Sequence, residues 1–170
     1  MNEAQSLWWQ QAKSDHEVFE LLRGEGVPAC HSLHYLQMAT EKLAKASFWA
    51  NNDPPAMRHV GFAQFLRRFG NTPRRHRNRI ALLFGFGQFS GFQTWIRSAI
   101  PLARQIDQVS PAVIRDGPNS EYPWPHDAPI ACPAQYHFAV WDELKKSQGR
   151  KLMRFTSTAI KRFPDYASGG

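Results

Sequence analysis

Apolar side chains recur at helical rather than strand spacing along most of this chain. Leu7, Trp8, Ala12, Phe19 and Leu22 predict a first helix from about Glu3 to Arg23, ended by Gly24 to Gly26. Pro28 stands where a first helical turn tolerates a missing N–H. A long second helix is predicted from Ala29 to Ala50, with Leu33, Leu36, Thr40, Leu43, Ala44 and Ser47 on one stripe and Asn51 to Pro55 stopping it. His59, Phe62, Phe65, Leu66 and Phe69 share a face of a shorter third helix, from about Met57 to Phe69.

Beyond the turn Gly70 to Pro73, the segment from Arg74 to Gln108 keeps helical spacing. It also carries Gly85, Gly87, Gly91 and Pro101, so a break or kink is expected there; close helix packing is the expected reason for the glycines, since no strand precedes them and no Lys-Ser/Thr follows. From Ser110 to Pro133 the density of proline forbids a regular helix or a central strand, and Tyr122, Trp124 and Ile130 offer the loop apolar anchors. A last helical stretch is predicted from about Ala134 to Phe163, hinged at Gly149, with a frayed tail from Pro164 onward. No alternating pattern and no repeat is visible. The expectation is an all-α, single-domain, up-and-down bundle of about five helices spanning 1–170, with its core at about 4–163 and a long Pro-rich loop before the last helix.

Composition sharpens this. A chain of 170 residues, 42% hydrophobic and 13% aromatic, can bury about two-thirds of its unfolded surface without staples. No run approaches the roughly 18 to 20 apolar residues of a membrane span, and the first residues lack the basic-then-apolar order of an export signal, so a soluble cytoplasmic protein is expected. Cys30 and Cys132 lie far apart in sequence with no CxxC or paired His-Cys spacing; reduced thiols, no metal and no cofactor are the expectation.

Charge changes the picture more. The net charge is +7, and between Asp53 and Asp107 there is no acidic residue and no Lys, while nine Arg occur. Arg67, Arg68, Arg74, Arg75, Arg77 and Arg79 put six guanidinium groups within thirteen residues. A guanidinium keeps its charge and grips phosphate through a two-pronged fork, so this choice of Arg over Lys suits phosphate or stacked-base recognition. Two readings of the cluster remain open. One is a nucleic-acid or nucleotide site. The other is docking, onto an acidic protein partner or onto this chain's own carboxylates such as Asp15, Glu17, Asp142 and Glu143. Phe84, Phe86, Phe89, Phe92 and Trp95 follow at mostly three-residue steps, which favours burial in the bundle over an exposed stacking platform.

The second helix contains His34-Tyr35-Leu36-Gln37-Met38-Ala39-Thr40-Glu41-Lys42-Leu43-Ala44-Lys45-Ala46, a polar helix followed by A-x-E-K-x-x-K-A. A His opens the next helix at His59, and Glu121-Tyr122-Pro123-Trp124 falls where an R-Y-P segment would precede the last helix. Together these features resemble the HEPN family. The resemblance implies a small helical bundle, commonly a homodimer, found in toxin–antitoxin and other bacterial defence systems. It also implies a binding or accessory role beside RNA, a nucleotide, or a protein such as a nucleotidyltransferase.

HEPN ribonucleases carry Arg and His four to six residues apart, and no Arg here is followed by a His at that distance; the R-Y-P arginine is Glu121. A non-catalytic binding module is therefore the leading expectation. The alternatives are a divergent metal-independent ribonuclease, with His34, His59 or His126 as acid–base group, and a purely protein-interacting subunit. His34, Glu41, Lys45 and Tyr122 are the residues expected to meet in a polar cleft, although Glu41 and Lys45 also form an ordinary i,i+4 surface pair.

Overall fold

The computed structural model describes residues 1–49, 61–110 and 116–167. Among these residues there is no strand, only an isolated bridge between Trp124 and Ala131, and eight α-helices replace the five expected.

Helices α1 (Glu3–Leu22) and α2 (Ala29–Phe48) form an antiparallel pair whose ends are fastened by one device. Asn2 caps α1 by accepting from Gln5 N at 2.8 Å, and Gln5 Oε1 returns the bond to Asn2 N at 3.1 Å. The amide nitrogens of the same two side chains then donate across the pair, Asn2 Nδ2 to Trp49 O at 2.8 Å and Gln5 Nε2 to Ala46 O at 3.3 Å. Two carbonyls that α2 leaves without intrahelical partners are thereby satisfied. Midway, the nearly buried pair Lys42 Nζ–Asp15 Oδ2 at 2.5 Å joins the two helices, with Gln11 donating to the other carboxylate oxygen at 2.9 Å.

Helix α3 (Phe62–Gly70) begins with a borrowed cap. Gly61 has no side chain to offer, and Asp107, the last residue of a later helix (Phe89–Asp107), accepts from Phe62 N at 2.6 Å and Ala63 N at 3.1 Å. The fit demands glycine, because a Cβ at Gly61 would lie 2.5 Å from Asp107 Oδ2. Burial raises the Asp107 carboxyl above its usual range, and the two N–H groups partly offset that.

After a 3-10 turn (Arg74–His76), the long segment breaks where the sequence allows it, between α4 (Arg77–Leu83) and α5 (Phe89–Asp107). Gly85 adopts φ +78 in that break, a conformation open to glycine. Pro101 does not break α5. The expected packing role for the glycines is corrected: nothing lies within 4 Å of where a Cβ would stand at Gly85, Gly87 or Gly91.

The last stretch is three helices, α6 (Ala139–Lys145), α7 (Ser147–Lys161) and α8 (Phe163–Ala167), after a second 3-10 turn (Pro133–Gln135). The break falls at Lys146, not Gly149. Gly149 instead gives α7 room to fold against α6: a Cβ there would meet Glu143 O at 2.2 Å and Leu144 Cα at 2.4 Å. The expected frayed tail is also corrected as far as Ala167; residues 168–170 lie outside the described residues. Phe163 is fully buried, and Tyr166 packs on Phe69 and Phe163 while donating its hydroxyl to Ala159 O at 2.8 Å. Pro164 lies in the first turn of α8, a position that suits proline.

Aromatic rings fill the centre. Phe69, Phe84, Phe92, Trp95 and Phe155 stack or meet edge to face, Phe84 and Phe155 at 4.4 Å between centroids, so Phe84 to Trp95 serve the core as their spacing predicts. Among the described residues no helix is long and apolar enough to cross a membrane. The predicted end of the second helix at Ala50, the start of the third at Met57, His59 and Pro111 lie outside the described residues.

Candidate functional site

Three of the arginines singled out by sequence converge, with His76, on one depression of about 430 Å³. Helix α3 projects Arg67 and Arg68 into it from its last turn, and the following turn and α4 bring His76 and Arg79. The end of α2 supplies Ser47 and Phe48, and α8 closes another side with Asp165 and Tyr166.

Arg68, Arg77 and Arg79 are anchored by backbone oxygens rather than by acids. Arg68 Nη1 donates to Ser47 O, a close contact, and to Ser47 Oγ at 3.1 Å, while its guanidinium lies 5.6 Å from the Phe48 ring centroid. Burial lowers its basicity, but an arginine starts so high that it stays charged. Arg79 Nη2 donates to Asp165 O at 2.6 Å. Outside the depression, Arg77 Nε donates to Thr72 O at 3.1 Å and lies over Phe89, and Arg75 Nε donates to His76 Nε2 at 2.9 Å. All six arginines, Arg67, Arg68, Arg74, Arg75, Arg77 and Arg79, belong to exposed positions, Arg68 with its guanidinium turned inward onto Ser47.

Among the described residues, none of these six arginines forms an ion pair with a carboxylate. The acids weighed as internal partners are engaged elsewhere: Asp15 by Lys42, Glu17 by Lys13 at 3.9 Å, Asp142 by Lys145 at 3.0 Å and His137 at 3.1 Å, and Glu143 by Lys146 at 2.5 Å. Asp165, within the depression, holds Arg162. The docking of the cluster onto these four carboxylates of its own chain is thus corrected: lysines at helical spacing or across the α1–α2 pair reach them first.

The four residues expected to meet in a polar cleft fall in two separate places along α2 and the loop beside it. His34 Nδ1 faces Glu121 Oε1 at 3.2 Å, although the two are not aligned as a hydrogen bond and Nδ1 is buried without one. Asn119 Oδ1 accepts from the backbone N–H of Glu121 at 2.7 Å and Tyr122 at 3.2 Å, which closes a local turn in that loop. Tyr122 itself is 63% exposed. Two turns along α2, Glu41 accepts from Gln37 Nε2 at 2.8 Å and pairs with Lys45 at 2.6 Å, and Lys45 lies over the Trp8 ring. His34 and Tyr122 therefore share a neighbourhood through Glu121, and Glu41 and Lys45 are held to each other further along. His126 is far more exposed, beside Asp127 at 3.1 Å.

The sequence carried the arginines but not their companions. His76 stood inside the R-R-H-R-N-R run without a role, and Asp165 and Tyr166 fell in the segment read as a tail. No group of three or more His, Cys, Asp or Glu among the described residues is placed to hold a metal. Compared with protein-family models, with curated proteins and with solved structures, the chain gives no match.

Proposed function

We propose that this protein is a non-catalytic, HEPN-like binding module that holds a phosphate-bearing ligand, RNA or a nucleotide, in the depression between α3, α4 and α8. The observation that carries the reading is the convergence of Arg67, Arg68 and Arg79 with His76 on one concave surface, Arg68 and Arg79 anchored by backbone carbonyls and none of the three arginines paired with an acid among the described residues. Carbonyl oxygens orient a guanidinium and leave its charge intact, whereas a carboxylate would cancel it. Arg74 and Arg75 extend the positive surface beyond the depression.

The test is binding of single-stranded RNA across a salt series. Replacing Arg67, Arg74 and Arg75 together by Gln should weaken binding and reduce the slope of log affinity against log salt by about one for each phosphate contact removed. Failure of the wild-type protein to bind RNA or nucleotide at low salt sinks the reading and leaves the protein-interaction subunit in its place.

The ribonuclease reading rests on the meeting of His34 with Glu121 beside Tyr122, since a carboxylate can orient an imidazole for proton transfer. Our reading expects purified protein to leave RNA intact. Cleavage abolished by His34→Ala would favour the enzyme. Homodimer formation, a cytoplasmic setting and a role in bacterial defence beside a partner protein belong to the same proposal, on the strength of the HEPN resemblance alone.

A further inference from the structure

We infer that the depression takes a terminal phosphomonoester, the phosphorylated end of an RNA or a free mononucleotide, and not a phosphodiester within a continuing strand. This rests on the phosphate-binding reading above and narrows its ligand.

Shape is the first ground. The depression is walled by the end of α2 at Phe48, by α3 at Arg67 and Arg68, by the turn and α4 at His76 and Arg79, and by α8 at Tyr166. Bounded on these sides and of limited size, the space suits a compact terminal group. At about 430 Å³ the space falls within the range of small-molecule sites.

Charge is the second. Three arginines line the space and the one lining carboxylate, Asp165, is held by Arg162. A phosphodiester carries one negative charge; a phosphomonoester carries about 1.5 to 2 near neutrality and a third free oxygen for the forks. The monoester is the better match to three guanidiniums. The third ground is what lies outside: Arg74 and Arg75 are exposed on the adjoining turn, placed to meet backbone phosphates leading away from a bound end.

The experiment compares one RNA oligonucleotide bearing a 5′-phosphate, a 3′-phosphate or hydroxyls at both ends, by fluorescence anisotropy at low salt, with AMP and adenosine measured by calorimetry. A phosphorylated end should tighten binding about tenfold, the worth of one added charge-assisted hydrogen bond. Arg67→Gln and Arg79→Gln, both at exposed positions, should erase most of that gain, while Arg74→Gln with Arg75→Gln should weaken all oligonucleotides alike. AMP bound where adenosine is not assigns the free nucleotide; a gain restricted to the oligonucleotide assigns the RNA end. Equal affinity for phosphorylated and hydroxyl ends, with adenosine and AMP also alike, overturns the inference but leaves general phosphate binding standing. A preference for phosphate that survives the Arg67→Gln, Arg79→Gln double variant also overturns it. Absence of all binding removes both.

Discussion

Asp107→Ala takes away the side-chain cap that α3 borrows from α5, and its cost can be worked from the geometry. The carboxylate accepts two backbone N–H groups, at 2.6 and 3.1 Å, and hydrogen bonds to a charged group are worth about 1.5 kcal/mol or more each. Against that gain of about 3 kcal/mol stands the burial that raises the Asp107 carboxyl, which the variant relieves, leaving a net loss of about 2 kcal/mol. For a chain of this size that lowers Tm by about 4–8 °C, read by far-ultraviolet circular dichroism. Asp107→Asn keeps one accepting oxygen and no charge, so it should lose about half as much. Its pH dependence should differ too. With the folded-state pKa raised above the unfolded one, the ionising Asp107 makes stability fall as pH climbs from the ordinary carboxylate range through the raised value, and the Asn variant removes that component. An alanine variant that melts with the wild type, or an asparagine variant as damaged as alanine, would refute the capping argument.

Gly149→Ala should be among the most damaging single-methyl additions, because the new Cβ meets backbone of α6 at 2.2–2.6 Å and backbone cannot swing aside; a loss of about 3 kcal/mol or more, or failure to fold, is expected in urea unfolding. Burial holds the His16 imidazole below its usual range despite Glu20 at 3.6 Å. With the folded pKa depressed, stability should drop as pH falls through the ordinary imidazole value towards the depressed one, and His16→Phe should flatten that part of the curve in denaturant titrations at successive pH values. Gly61→Ala, which puts a methyl group 2.5 Å from Asp107 Oδ2, should destabilise in the same assay as Asp107→Ala and add little to it, since both act on one cap.

What the sequence disclosed and what it withheld divide along a physical line. Periodicity located α1 and α2 to within two residues at their described ends, because a 20-residue amphipathic face is a strong local signal. It also placed the aromatic run in the core. Glycine and proline misled, because their effect depends on neighbours distant in sequence. Gly149 reads as a hinge from propensity alone, yet its function is to admit the backbone of α6. Pro164 reads as a stop, yet it lies in the opening turn of α8, and Pro101 sits within a helix that packing sustains.

At the candidate site the arginines were legible because an acid-free run of guanidiniums is visible in one dimension. Their arrangement was not: it depends on Ser47, 21 residues before Arg68, and on Asp165, 86 residues after Arg79. The choice between internal and external partners for the cluster was equally hidden, since it turns on which lysines lie near which acids.

The double stitching of α1 to α2 by Asn2 and Gln5 carries a consequence for the order in which the chain assembles. That pair joins neighbours in sequence, whereas the return of α7 to α1, where Trp9 Nε1 reaches Ile160 O at 2.7 Å, closes a span of 151 residues. Loop-closure entropy favours the local hairpin first. The depression lined by Arg67, Arg68 and Arg79, with one wall in α8, comes into being only when the C-terminal helices arrive, so an amide-exchange experiment should find the hairpin protected in partly unfolded forms in which that depression is already lost.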